Sequence, residues 1–214
     1  MQRLLHIFIV AIILLAALPS LGGKKKANVR SKMNAAVFLK DDSVARGYLM
    51  SALFTTDSVV RLNYLNKLFA RDRKYPVADI DSIYTWYDDM PQVVLKWMPV
   101  RVVMSYAGTA QPTVYDRPCM ATVACEGRNL CGYVVSDAIL GTRCAYKTAS
   151  MPYAVCILPL SGKVSERRRR SLSLEFKNYP DIVEFIRNMD DNFLKGDPFK
   201  IFPILDRGME SVKR

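Results

Sequence analysis

The chain has 214 residues, half of them hydrophobic, and 31 Lys or Arg against 20 Asp or Glu give it a formal net charge of +11. Its single histidine, His6, lies in an apolar amino-terminal run, so the remainder can build neither a Ser-His-Asp or Cys-His centre nor a His-ligated zinc site. An enzyme made from the other residues would depend on carboxylates, Lys, Tyr or a cofactor.

Residues 1–23 have the composition of an export signal. One positive charge precedes the uncharged run 4–18, which is shorter than the roughly 20 apolar residues that span a bilayer. Pro19 ends the run, and the small residues after it suit peptidase cleavage after Gly22 or Gly23. We therefore predict an exported protein that is periplasmic, associated with the outer membrane, or secreted.

The charges that follow this segment favour an alternative. Five basic residues stand on its far side, and by the positive-inside rule they oppose translocation of that flank. An uncleaved anchor formed by residues 4–23 is therefore the second interpretation, and it would be the route by which the chain enters a membrane. No cysteine lies near the cut, which excludes a lipoprotein anchor. The basic residues are Lys24, Lys25, Lys26, Arg30 and Lys32.

The exported part has the size of one domain. Removing 1–23 takes away one basic residue and no acid, which leaves 191 residues with 30 basic and 20 acidic side chains. We predict a basic flexible leader over 24–34, a single β-rich domain over 35–205 and a tail over 206–214. The charge favours an anionic glycan or lipid as partner, or another envelope protein, and export argues against nucleic acid.

The first half of this domain is typical of short strands. Residues 35–40 and 44–50 flank the polar link Asp41-Asp42-Ser43 and predict a hairpin. Residues 58–69 combine helical spacing with a β-branched pair, so helix and strand both stay open. Tyr75–Asp81 predicts a tight turn or a short helical turn. Strands are expected next over 82–87, 93–97 and 100–106.

The second half predicts a meander that is followed by a helix. Polar alternation over 171–176 favours one further strand. Residues 179–195 place apolar side chains on one helical face, with Pro180 in the first turn and Gly196 after the end. The predicted fold is mainly antiparallel β with this one amphipathic helix packed on the sheet, and α+β is the alternative. The meander strands are 119–125, 131–136, 143–148 and 153–158.

The five cysteines all fall in the meander and contain no C-x-x-C spacing, so we predict no metal site and no cofactor. A three-residue turn would place Cys125 opposite Cys131, and a hairpin centred on residue 150 would place Cys144 opposite Cys156. Export permits the two disulfides that follow, with Cys119 left over. Five buried thiols are the alternative, because free cysteine is among the most buried residue types.

Three segments together resemble uncharacterised exported β-rich proteins of the Bacteroidota. They are LKDDSVARGYL over 39–49, KYPVADIDSIYTW over 74–86 and YPDIVEFI over 179–186. The resemblance implies an exported β-rich fold with a strand hairpin near the mature start. It implies no activity, cofactor or catalytic residue.

The densest acidic cluster near aromatic residues is Asp79, Asp81, Asp88 and Asp89. Glycosidases flank the scissile bond with two carboxylates, so a glycan-acting hydrolase is one alternative function. Turn chemistry also accounts for all four residues. The chain contains no Walker loop, dinucleotide-binding turn or G-x-S-x-G elbow, and the main expectation is a non-catalytic envelope protein that binds or scaffolds.

The densest basic block is Arg167-Arg168-Arg169-Arg170. Its first interpretation is a solvated loop. Its second is a docking patch for phosphate or sulfate groups, so the further alternative function is binding of anionic lipid or polysaccharide through these four arginines.

Overall fold

The computed structural model of the chain is mainly β, and twelve strands form one mostly antiparallel sheet. The expectation of a single helix is not confirmed, because the described part of the chain forms three.

The residues that the structure describes are 33–64, 72–104, 113–114, 117–138, 141–159, 164–192 and 200–210. The export segment and most of the basic leader lie outside them. The helices are α1 (Glu166–Glu175), α2 (Pro180–Asn188) and α3 (Ile201–Gly208). The strands are β1 (Met33–Leu39), β2 (Val44–Leu49), β3 (Val59–Asn63), β4 (Arg73–Pro76), β5 (Ile80–Tyr87), β6 (Met90–Val100), β7 (Val102–Met104), β8 (Thr113–Val114), β9 (Cys119–Glu126), β10 (Cys131–Asp137), β11 (Gly141–Lys147) and β12 (Ala154–Pro159).

The predicted amino-terminal hairpin is confirmed as β1 and β2. Its link is an Asx-type turn, in which the Asp41 carboxylate accepts hydrogen bonds from the Ser43 amide at 3.0 Å and hydroxyl at 2.6 Å. These bonds stabilise the ionised carboxyl and lower the pKa of Asp41. Asp42 takes the left-handed conformation that Asp tolerates in turns, with φ of 64°. In the segment left open, residues 59–63 form a strand, and 65–69 lie outside the described residues.

The first five strands surround one core in the order β4-β3-β2-β1-β5. The expected short turn is a 3-10 turn, Val77–Asp79, and it connects β4 directly to β5. The two edges of this five-stranded segment are therefore consecutive in the chain. Its enclosed apolar side chains include Val37, Leu62, Ile80 and Ile83.

Strands β6, β7 and β9 to β12 close into a barrel, and β8 pairs with β7 outside the ring. β6 and β7 are separated only by Arg101, and β7 pairs in parallel with β12, while β6 pairs with β9. With β6 and β7 counted as one continuous strand, the ring β6/β7-β9-β10-β11-β12 contains five strands. When neighbouring strands alternate in direction, a closed ring with an odd number of strands must contain one parallel pair. Here that pair is β7 and β12. Five strands leave little interior room, which explains why small residues make up half of the buried cluster inside the barrel. They include Cys119, Ala121, Ala145 and Ala154.

The three helices cover the outer face of this barrel. Apolar residues from α1, α2 and α3 pack against outward side chains of β10, β11 and β12. The expected strand over 171–176 is wrong, because those residues continue and end α1. The predicted helix over 179–195 is present as α2 but ends at Asn188, and residues 193–195 lie outside the described part. The packed region extends past 205, since α3 runs to Gly208 and Met209 is buried.

Candidate functional site: the outward side of helix α1

Helix α1 contains the four arginines that the sequence analysis placed in a loop. Arg, Leu and Glu favour helices, and the buried residues Leu172 and Phe176 are four positions apart, as on one helical face. Leu174, which a strand would place on the same side as Leu172, is instead 66% exposed. The loop interpretation is therefore wrong, and the arginines have fixed directions.

Arg169 lies on the inner side of α1 and holds the helix in place. Its side chain is only 12% exposed, and Nη1 donates to the Ile186 carbonyl at 3.0 Å. That carbonyl belongs to the last turn of α2, where main-chain acceptors lack intrahelical donors. Nη2 donates to the carboxylate of Asp191. The contribution of Arg169 is thus to connect α1 with the carboxyl end of α2.

A second contact fixes the far end of α1. The Tyr146 hydroxyl donates to Glu175 Oε1 at 2.6 Å, and its ring lies 5.1 Å from the ring of Phe176. Burial raises the pKa of Tyr146, and the hydrogen bond to Glu175 raises it further. Because α1 is anchored at Arg169 and at Glu175, its opposite side is held toward solvent.

The other three arginines lie on or beside that outward side. Arg167 and Arg170 are exposed and Arg168 is half-buried. Among the residues that the structure describes, none of these three forms an ion pair. Three positive charges within one turn and a half create a locally strong positive potential that can attract phosphate, sulfate or carboxylate groups. The structure therefore divides the predicted block of four into one structural arginine and three available ones.

The four predicted acidic residues do not form one cluster. Asp79 and Asp81 are exposed at the start of β5, and Asp88 and Asp89 are exposed in the turn after it. Asp88 follows Asp81 by seven positions of extended chain, a span of about 23 Å. Asp88 accepts a hydrogen bond from Asn34 Nδ2 at 2.6 Å, as a turn residue does. The glycosidase arrangement would need two carboxylates within roughly 10 Å on either side of a sugar, and the two ends of β5 are too far apart to share one.

The predicted register of the first cysteine hairpin is off by one residue. Cys131 pairs with Glu126 and Cys125 with Gly132, because the link contains four residues rather than three. A one-residue shift reverses the face to which a side chain points. Cys131 accordingly packs in the barrel interior, and Cys125 packs on the outer face below the helices.

The second cysteine hairpin shows the same separation. Cys144 pairs with Leu158 and lies on the helix side, whereas Cys156 pairs with Ala145 and lies in the barrel interior. No disulfide joins any of the five cysteines in the structure. Burial raises the pKa of Cys119, Cys144 and Cys156 to about 12 each, so these thiols are protonated at neutral pH and poorly nucleophilic.

Two acidic side chains make contacts that no sequence pattern indicates, one buried and one half-buried. Asp137 is 5% exposed at the end of β10, and it accepts a hydrogen bond from the Thr55 hydroxyl at 2.7 Å. Asp206 on α3 accepts hydrogen bonds from backbone amides of the β9–β10 turn. Their partners are about eighty residues away in sequence, so no local pattern indicates either contact. Both fasten loops to the barrel rather than forming an open site.

No cluster of three or more His, Cys, Asp or Glu that could hold a metal ion occurs among the described residues. In the same part of the chain, no helix is long and apolar enough to cross a bilayer. No family model, curated protein or solved structure matches the chain. The resemblance to exported proteins of the Bacteroidota therefore stays a prediction.

Proposed function

We propose that the protein is an exported, non-catalytic envelope protein that binds an anionic partner through the outward side of α1. The observation that carries the proposal is the exposure of Arg167 and Arg170, with Arg168 beside them, on a helix that Arg169 holds in a fixed orientation. Guanidinium groups suit phosphate and sulfate because their donors match the spacing of paired oxygens. A fixed helix presents them with less loss of conformational entropy than a mobile loop would.

The distribution of the other charges supports the same role. Other charged side chains form contacts that stabilise the fold. Asp137 and Asp206 accept hydrogen bonds that hold loops in place, and Lys96 pairs with Glu126 at 2.6 Å across β6 and β9. The three available arginines of α1 are consecutive or nearly so, and the excess of basic residues over the whole exported part adds attraction at longer range. Export itself is proposed on the composition of residues 1–23.

The test is salt-dependent retention on an immobilised sulfated polysaccharide, heparin. The native exported protein should elute at higher salt than the triple variant Arg167→Gln/Arg168→Gln/Arg170→Gln, because the variant lacks the local positive charges while keeping the anchor at Arg169. Far-ultraviolet circular dichroism would show that the variant stays folded.

A matched control removes the same number of charges elsewhere. The variant Arg46→Gln/Arg61→Gln/Arg101→Gln neutralises three exposed arginines on strands or in the link after β6. If the proposal is correct, this control elutes close to the unmodified protein. Equal losses in both triple variants would mean that net charge alone controls retention, and the assignment to α1 would be wrong.

A further inference from the structure

We infer that the anionic partner of α1 is a lipid bilayer surface, on which the helix lies with its outward side against the headgroups. This inference rests on the proposed function and specifies its partner. The surface concerned comprises Arg167, Arg170, Leu174 and Lys177, which we call the α1 stripe.

Three members of the α1 stripe share one side of the helix. Arg167, Arg170 and Leu174 follow the spacing i, i+3 and i+7, which returns to the same face after each turn. Lys177 follows the end of the helix and is also exposed. At about 1.5 Å per residue the helical part of the stripe, from Arg167 to Leu174, is about 10 Å long. It runs on the side opposite the buried Leu172.

Leu174 distinguishes a bilayer from a soluble polyanion. Its 66% exposure is the largest among the exposed large hydrophobic residues of the described chain. A single exposed leucine is ordinary on a protein surface. Here, however, Arg170 precedes it by one turn and Lys177 follows it. A basic helical face with an apolar residue in its middle suits the boundary between headgroups and acyl chains, where the leucine can leave water while the cations contact lipid phosphates. A hydrated polysaccharide offers the leucine no such environment.

The acidic residues near the stripe leave it a net positive surface. Glu166 and Glu175 lie on its two flanks, one at each end of α1. The Glu175 carboxylate is directed to the Tyr146 hydroxyl on the inner side of the helix. The stripe itself contains three basic residues and no acid, so it is complementary to an anionic leaflet.

The strength expected from the stripe is modest. Each basic residue near an anionic leaflet raises the partition constant about fivefold at physiological ionic strength. Transfer of the exposed part of one leucine from water adds roughly another fivefold to tenfold. Such values give reversible, salt-sensitive docking, which is the regime of peripheral proteins that combine two weak signals.

The test compares sedimentation of the native exported protein with two kinds of vesicle, one of phosphatidylcholine alone and one an equimolar mixture with phosphatidylglycerol. Leu174→Gln should lower the partition constant on the anionic vesicles about fivefold to tenfold, and Arg167→Gln/Arg170→Gln should lower it about 25-fold. Val94→Gln is the matched control, because Val94 is 52% exposed on β6, away from α1, and it should leave binding unchanged.

A fluorescence measurement reports insertion directly. A tryptophan introduced as Leu174→Trp should shift its emission to the blue on anionic vesicles, whereas Val94→Trp should not. Vesicle binding that is insensitive to Leu174→Gln, together with no blue shift, would overturn docking by the stripe. If the arginine variant still lost heparin retention in that case, the proposed function would stand with a soluble polyanion as partner. If no arginine variant changed either assay, both would be refuted.

Discussion

The carboxylate of Asp206 connects the carboxyl-terminal helix to the β9–β10 turn, and its removal should destabilise the whole barrel. Its oxygens accept hydrogen bonds from the amides of Asn129 at 2.8 Å, Leu130 at 3.1 Å and Arg128 at 3.3 Å, and the Asp206 carbonyl accepts from Asn129 Nδ2 at 2.9 Å. One acidic side chain thus satisfies three consecutive main-chain donors. Because these residues belong to the barrel and Asp206 to α3, the bonds tie the last helix to the sheet.

The magnitude follows from which donors lose their acceptor. Leu130 is 2% exposed, so an unsatisfied amide there costs about 1–3 kcal/mol, and the part-buried amide of Asn129 adds about 1 kcal/mol. Arg128 is exposed in the turn, and water replaces the lost acceptor. Asp206→Ala should therefore lower the free energy of unfolding by about 3 kcal/mol. The exposed Glu184→Ala on α2 should change it by less than about 0.5 kcal/mol.

Gly127 makes a sharper test of the same contact. A Cβ added there would lie 2.3 Å from Asp206 Cγ and Oδ1, closer than real atoms approach. Gly127→Ala should therefore displace the carboxylate and destabilise the protein by about 2 kcal/mol in the parent chain. In the Asp206→Ala background the obstructing atoms are gone, and the same change should cost almost nothing.

The assay is urea unfolding followed by circular dichroism for the parent, the two single variants and the double variant. We expect a coupling free energy of about 2 kcal/mol between the two positions, since each change removes the same hydrogen bonds. Strictly additive effects would show that Asp206 does not lie over Gly127. If Asp206→Ala lowered the free energy of unfolding by less than about 0.5 kcal/mol, the three amides would form equally good hydrogen bonds with water.

Two further predictions concern the helix anchor and the buried thiols. Arg169→Gln should lower the free energy of unfolding by about 1–2 kcal/mol, because the Ile186 carbonyl loses its donor, and amide hydrogen exchange in α1 should become faster. Arg167→Gln is the control. Equal losses of stability in the two variants would contradict the anchoring role of Arg169. Burial raises the pKa of Cys119 and Cys144 from 9.0 to about 12, so folding favours the neutral thiols. Their contribution to the free energy of unfolding should therefore be fully present below pH 9 and be lost as the pH rises toward 12. Replacing both with Ala should flatten the decline in urea midpoint between pH 9 and 11, and an unchanged slope would show that other groups cause it.

The strands were predictable from the sequence where alternation and turn residues agree. The β1–β2 hairpin has both, because Asp41 to Ser43 form a turn that stabilises itself locally. Helix α1 was misread because residues 171–176 alternate polar and apolar side chains, which is the pattern of a half-buried strand. Leu172 and Phe176 are also one helical turn apart, so the two buried positions fit a helix as well. Its true period emerges only when Phe176 is known to be buried.

Helix α3 was missed for a different reason. Pro203 argues against a helix when it is taken alone, yet it occupies the third position, where a backbone amide needs no intrahelical acceptor. The register of the first cysteine hairpin depends on whether the turn after Glu126 contains three or four residues. Asp206 favours the four-residue turn because its carboxylate binds the amides of that turn. Asp206 lies about eighty positions away, so the local sequence pattern of the turn does not indicate this contact.

The fold also narrows where binding can occur. Some of the charged residues singled out in the sequence stabilise the fold, and others are directed toward solvent. The acids of the candidate hydrolase lie at opposite ends of β5, the buried thiols are protonated, and Asp137 and Asp206 already bind main-chain or side-chain donors. The barrel interior is filled by apolar side chains, among them Tyr133 and Val135. What stands outward on a rigid support is the basic side of α1, and its orientation depends on Arg169. A largely buried arginine between two helices costs desolvation free energy, and its presence there beside Arg167, Arg168 and Arg170 is explained if the direction of those three matters.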